Sequence, residues 1–302
     1  MRNETQMRSL VRGHIDGLTV KPGQVYWTDR KSAARHIDER LAELAVRPQE
    51  QPEAGPKEKP EAGPSEVPGR GPLEKKQCLK RRPDFPVDRF STVERVWSGP
   101  VVVIATGPSL TKEQVERVRI SGVPTIAIND VYLWAPFADI VYFADAKWWK
   151  WQTERADRVE PWKAFAGQRC TIHTTGHMTD DPGCHILRNA RKEGLSVNPE
   201  EICTGSNSGY QGMNIATLAG GDPVILLGFD MRAHGGKGEK PVHHFFGDHP
   251  DGTMPPYAML ISRFKTGAIA AKELGIRILN ATPGSALDCF DRVELESVLP
   301  HP

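Results

Sequence analysis

PVVVIATGPSL, residues 100–110, is the stretch on which the fold turns. Five aliphatic residues, Val101 to Ala105, run without a polar break into Thr106 and Gly107, and Pro108 and Ser109 then lead to TKEQVERV. A strand wetted on one face alternates apolar and polar side chains, so an unbroken run marks a strand covered on both faces. Similar runs recur at Val123–Ile128, Ile140–Ala144, Cys170–His173, Val224–Leu227 and Ile276–Leu279, with helical patterns between several of them at 112–119, 146–158, 208–219 and 257–274. Buried strands separated by helices build a parallel sheet between two helical layers. The expected fold is α/β: a Rossmann-like, doubly wound, mostly parallel sheet over residues 84–302.

Ahead of this domain the composition changes. From 48 to 76 proline stands at 48, 52, 56, 60, 64, 68 and 72, and PEAGP occurs twice. A proline each turn removes a helix donor and biases its predecessor to extended backbone. With no aliphatic cluster to bury, the segment reads as a disordered linker over residues 48–83. Residues 1–47 read as a small α+β module. GLTVKPGQVYWTD gives two extended runs around Pro22-Gly23, and Asp29 caps a helical pattern through Ala33, Ile37, Leu41 and Leu44. The module resembles short KPG-turn modules at the front of tailed-phage proteins, which implies docking to a phage protein partner.

Charge narrows the function. With 39 Lys+Arg against 38 Asp+Glu, the net charge is +1, and no basic surface for a nucleic-acid duplex shows in the totals. No apolar run approaches the length of a membrane helix, and the start has no apolar leader segment. Five cysteines, odd in number and scattered, fit reduced thiols. These readings predict a soluble, cytoplasmic protein that does not engage a membrane.

In open α/β sheets ligands sit beyond the carboxyl ends of the strands. In chain order the strands lead into Thr106-Gly107-Pro108-Ser109, then Asn129-Asp130, then Asp145, then Gly228-Phe229-Asp230, then Asn280 to Ser285. Gly107 lets backbone turn and approach a ligand, and Thr111 with Gln114 has capping-box spacing. A second helix start, Thr204-Gly205-Ser206-Asn207-Ser208, precedes an apolar helix. Free amides at two such starts favour an anion. The glycine spacing is neither that of a P-loop nor GxGxxG. The segment PVHHFFGDHP, 241–250, places three histidines and one aspartate within seven residues, and imidazole is the readiest general base near neutral pH. The tryptophans 148, 149, 151 and 162 read as helix packing ahead of ring stacking on a ligand.

VVVIATGPSL, AINDVYLW, IVYFAD, TGSNSGYQGMNIATLAGGDPVILLGFDM, HHFFGDH and ILNATPGSAL occur in the order found in bacterial lipooligosaccharide sialyltransferases. The same segments resemble the related 6-hydroxymethylpterin diphosphokinase-like family, which includes many phage proteins. The resemblance covers about residues 100–287. It implies a Rossmann-like domain that binds nucleotide around Gly107, Pro108, Ser109, Asn129, Asp130, Thr204, Gly205, Ser206 and Asp230. It also implies a histidine base in the HFFGDH segment, where His249 takes the role, with His244 and Asp248 as further catalytic candidates. That segment carries one residue more than the family pattern, and Phe245 and Phe246 stand near where a tyrosine pair holds the leaving phosphate.

These features admit three readings. The first is glycosyl transfer from a nucleotide-sugar to a hydroxyl on a small molecule, a glycan or a modified base, with no cofactor required. The second is diphosphate transfer from ATP, with Mg²⁺ held by Asp130, Asp145 and Asp230. The third is a non-catalytic phage virion or assembly protein.

Overall fold

The computed structural model describes residues 77–80 and 90–300, apart from 174–180, 182, 236–239 and 248–254, together with the backbone of Arg81 and of five short strands within the first 44 residues. The chain divides into two compact units, Met1–Leu73 and Glu74–Pro302.

In the first unit the strands are β1 (Glu4–Ser9), β2 (Gly13–Ile15), β3 (Leu18–Val20), β4 (Val25–Asp29) and β5 (Ala42–Leu44). The turn residues Pro22-Gly23 do separate two extended runs, but these do not pair with each other. β3 pairs with β2, and β1 lies between β4 and β5. The helical pattern predicted after Asp29 ends differently. Residues 42–44 form a strand antiparallel to β1, with Met7 opposite Leu44. Strand pairing to distant chain has overridden a local helical period there. Residues 30–41 of that pattern, and the proline-rich segment 48–76, lie outside the described residues.

The second unit opens with β6 (Leu79–Arg81) antiparallel to β7 (Ser91–Val93). Residues 79–81, assigned to the linker from sequence, are therefore strand, with Cys78 and Leu79 buried in the core. Then come β8 (Gly99–Ile104), β9 (Thr125–Ile128), β10 (Ile140–Phe143), β11 (Gln168–Ile172), β12 (Cys184–Asn189), β13 (Glu201–Ile202), β14 (Gly221–Leu227), β15 (Ile278–Asn280) and β16 (Asp291–Arg292). They form one nine-stranded sheet in the order β13-β12-β11-β10-β9-β8-β14-β15-β16. Every pairing in it is parallel. This is the expected α/β, Rossmann-like architecture. Strand order runs one way from β8 to β13 and then returns to β14 on the other side of β8, so the reversal point lies between β8 and β14.

The unbroken apolar runs sort by parity. Val101, Val103, Ile126, Ile128, Val224 and Leu226 belong to one core, while Val102, Ile104, Ala127, Ile225 and Leu227 belong to the other. All four residues Val101–Ile104 are fully buried, each side chain contributing about 1.5–3 kcal/mol of transfer free energy. The first core is closed by helices α4 (Ser208–Leu218) and α5 (Tyr257–Glu273), through Met213, Ile215, Phe264 and Ala270. The second is closed by α1 (Lys112–Ser121), α2 (Ala146–Glu154), α3 (Ala156–Ala164) and the short α6 (Leu295–Val298).

The pattern expected as one helix over 146–158 is two helices. Arg155 takes extended backbone between them (φ −100°, ψ 122°), its guanidinium held by Asp157 at 2.9 and 3.1 Å. The tryptophans pack. Trp148 is buried against Phe143 and Trp162, and Trp149 stacks on Phe143 at 5.4 Å.

Candidate functional site

A cavity of about 300 Å³ opens at the carboxyl edge of the sheet, where the strand order reverses. Its walls come from the loop after β8 (Thr106 to Pro108), the loop after β9 (Asn129, Asp130), the start of α2 (Asp145, Trp148) and the entry to α4 (Ser206 to Gly209). The loop after β14 (Gly228, Asp230 to Arg232) closes it, together with His243, His244, Phe246, Pro255, Pro256, Tyr257 and Leu260.

The two glycines that join strand to cavity are fixed by close contact. A Cβ on Gly107 would stand 1.9 Å from Asp230 Oδ2 and 2.4 Å from the Gly228 carbonyl. Gly228 itself has φ +74°, and a Cβ there would meet the Ala105 carbonyl at 2.3 Å. The two loops at the reversal point therefore lie backbone against backbone.

Asp230 binds them together. It is 1% exposed, and its carboxylate accepts the Ser109 amide at 3.1 Å and the Ser109 hydroxyl at 3.0 Å. His234 Nε2 lies 2.8 Å from Oδ1 without the alignment of a hydrogen bond. Burial pushes the Asp230 carboxyl above the ordinary carboxylate range, opposed by the Ser109 bonds and by His234. Ser109, expected to touch nucleotide, thus has its amide and hydroxyl engaged by Asp230 and is not among the cavity-lining residues.

The first helix start is likewise self-satisfied. The Thr111 hydroxyl accepts the Gln114 amide at 3.2 Å, and Gln114 Oε1 accepts the Thr111 amide at 3.0 Å, closing the predicted capping box. The second start is the one that faces the cavity. Asn207 caps α4 by accepting the Tyr210 amide at 3.1 Å, and Ser208 and Gly209 line the cavity wall. The loop before it is pinned from inside. Asn214 Oδ1 accepts the Cys203 amide at 2.9 Å, Gln211 Nε2 donates to the Thr204 carbonyl at 3.1 Å, and Gln211 Oε1 accepts the Tyr142 hydroxyl at 2.7 Å. Gly205 (φ +49°) and Ser206 (φ +56°) both take left-handed backbone there. Ser206 lines the cavity; Thr204 and Gly205 shape the loop behind it.

Asn129 also lines the cavity in left-handed backbone (φ 50°), and its Oδ1 is buried with no hydrogen-bond partner among the described residues. Asp130 beside it is ion-paired to Arg158 and accepts Trp148 Nε1 at 3.3 Å; burial raises its carboxyl, opposed by Arg158. Asp145 caps α2 by accepting the Lys147 amide at 2.8 Å. The three carboxylates proposed from sequence to hold Mg²⁺ therefore share one cavity but serve three separate structural bonds. Among the described residues no group of three or more His, Cys, Asp or Glu side chains comes together to hold a metal ion.

Also lining the cavity, His244 Nδ1 lies 3.0 Å from Thr106 Oγ1, and His243 Nδ1 lies 3.0 Å from Tyr257 Oη. The Phe245 amide donates to the Thr106 carbonyl at 3.0 Å, which ties the histidine segment to the loop after β8. His244 stacks on Phe246 with ring centres 5.0 Å apart. His249 and Asp248 lie outside the described residues.

Sequence reasoning missed Arg232, Tyr257 and Leu260, all of which line the cavity. Arg232 comes two residues after Asp230 in a strand-end loop, and that position was its available signal. Tyr257 and Leu260 sit on a helix and gave none. In comparisons with protein-family models, with curated proteins and with solved structures, no match to this chain was found.

Proposed function

We propose that this chain is a nucleotide-dependent transferase that moves a glycosyl group from a nucleotide-sugar to a hydroxyl acceptor. The observation that carries the reading is the placement of the cavity. It lies at the strand-order reversal and is lined by both the start of α4 and two histidines. The motif order that resembles the sialyltransferase group, phage members of its relatives included, supports the same reading.

In this reading a histidine of the 243–249 segment takes the proton from the acceptor hydroxyl. The acceptor oxygen bonds to the anomeric carbon as the bond from that carbon to the donor phosphate breaks. The departing phosphate carries the negative charge, and amides at the start of α4 stabilise it. His249 holds the base role by resemblance and His244 by its place on the cavity wall. The separate variants His249→Ala and His244→Ala distinguish them, since only loss of the base removes most of the turnover while donor binding remains. Diphosphate transfer from ATP is the weaker reading, because Asp130, Asp145 and Asp230 are each tied elsewhere.

The test is a thermal-shift screen of the full chain against CMP, CDP, UDP, GDP, ATP and CMP- and UDP-sugars, each with and without Mg²⁺. A ligand at 100 times its Kd adds about 2.7 kcal/mol. Metal-independent stabilisation by a pyrimidine nucleotide or its sugar is the expected result. Stabilisation by ATP with Mg²⁺ alone would replace the proposal with diphosphate transfer. Silence across the panel would replace it with a non-catalytic assembly role.

A further inference from the structure

Resting on that reading and going beyond it, we propose that Arg232 is the cation that holds the phosphate or diphosphate end of the ligand. Among the described residues that line the cavity, Arg232 is the one lysine or arginine. The carboxylates around it already have partners. Asp130 is matched by Arg158, Asp230 by Ser109 and His234, and Asp145 accepts the Lys147 amide. Arg232 is exposed to the cavity and solvent and forms no ion pair among the described residues.

Its seat is built. Gly284, at φ +61°, leaves the space that the guanidinium occupies, and a Cβ there would stand 2.7 Å from Arg232 Nη2. The loop carrying Gly284 is fixed to the end of β14. Ser285 Oγ donates to the Phe229 carbonyl at 2.6 Å, and Thr282 Oγ1 accepts the Phe229 amide at 2.9 Å. An exposed guanidinium on the cavity wall with no carboxylate of its own selects a group with several anionic oxygens, because its planar fork bonds two of them at once. A neutral sugar or base makes no such demand. Ser208 and Gly209, in the first turn of α4, line the same cavity, and a helix start there favours the same anion. Arg232 therefore sets the ligand class as phosphorylated, whatever base or sugar the rest of the cavity accepts.

The experiment is calorimetric titration of the full chain with sodium pyrophosphate and with inorganic phosphate. The proteins are the natural chain, Arg232→Lys and Arg232→Gln, and cytidine, uridine and adenosine serve as uncharged controls. The expected result is pyrophosphate binding that weakens at least about tenfold in Arg232→Gln and less in Arg232→Lys, which keeps the charge but loses the fork. The melting temperature without ligand should stay the same in all three, since the guanidinium is exposed. Equal pyrophosphate affinity in Arg232→Gln, or no pyrophosphate binding by the natural chain, would overturn the assignment. A silent nucleotide panel alongside an Arg232-dependent pyrophosphate signal would overturn the transferase reading and leave the anion site standing.

Discussion

The carboxylate of Asp230 is where the two halves of the cleft meet. It reaches from the end of β14 to Ser109 in the loop after β8, and Gly107 has no side chain so that it can pass. Its titration gives a test with a definite sign. Burial raises its carboxyl, so between the unfolded and the native titration ranges the native state holds a proton that the unfolded chain has released. Its contribution to stability is therefore full at low pH and falls as pH rises from the ordinary carboxylate range through the native value. Asp230→Asn removes that titration. The cost of this substitution, from urea midpoints measured between about pH 4 and about pH 8, is expected to shrink as pH rises. A cost that grew with pH would mean that Ser109 and His234 outweigh burial and hold the charged form.

Helix α1 owes its start to a reciprocal pair rather than to packing alone. Thr111 and Gln114 each satisfy the other's amide, and Val115 and Val118 bury one face. Thr111→Ala should cost about 1 kcal/mol, read as a lower melting temperature. Because the α1 start is not among the cavity-lining residues, the affinity of the nucleotide that the proposed function requires should stay unchanged; a large loss of affinity would place this helix start in the site after all. The capping box was legible in sequence because its partners stand three residues apart. So were six of the nine sheet strands, whose runs are wholly or mostly apolar. Cys184–Asn189 was not, since its buried positions alternate with half-buried His185, Arg188 and Asn189; Glu201–Ile202 and Asp291–Arg292 are two-residue strands with no pattern to read. The strand at 42–44 was hidden by a helical period, because pairing with β1 is information held thirty-odd residues away. Of the site, Gly107, Asn129 and Ser206 were legible as strand-end and helix-start residues. The engagement of Ser109 by Asp230 was not, because the two stand 121 residues apart in the chain.

At the scale of the molecule, two cores on either side of one sheet enclose four of the five cysteines. Cys78, Cys170, Cys184 and Cys203 are buried and unbridged, and Cys289 is half-buried. Burial pushes the Cys78 thiol up to about 12 and Cys289 to about 11, so little thiolate forms near neutral pH. A chromogenic disulfide reagent should therefore react with at most Cys289 in the native protein and with all five thiols in guanidinium. Rapid reaction of several thiols without denaturant would show that the sheet opens readily. The position of β14 in the sheet also bears on how the protein is made. β8, the strand at the centre of the cleft, has β9 on one side as soon as the next turn of chain emerges, but its other neighbour is encoded near residue 221. A nascent chain thus carries half a cleft, with one hydrogen-bonding edge of β8 open, until the strand that begins at Gly221 has emerged. A ligand of the cleft can help the protein fold only after that point, and a message cut short before β14 yields a product that no such ligand can rescue.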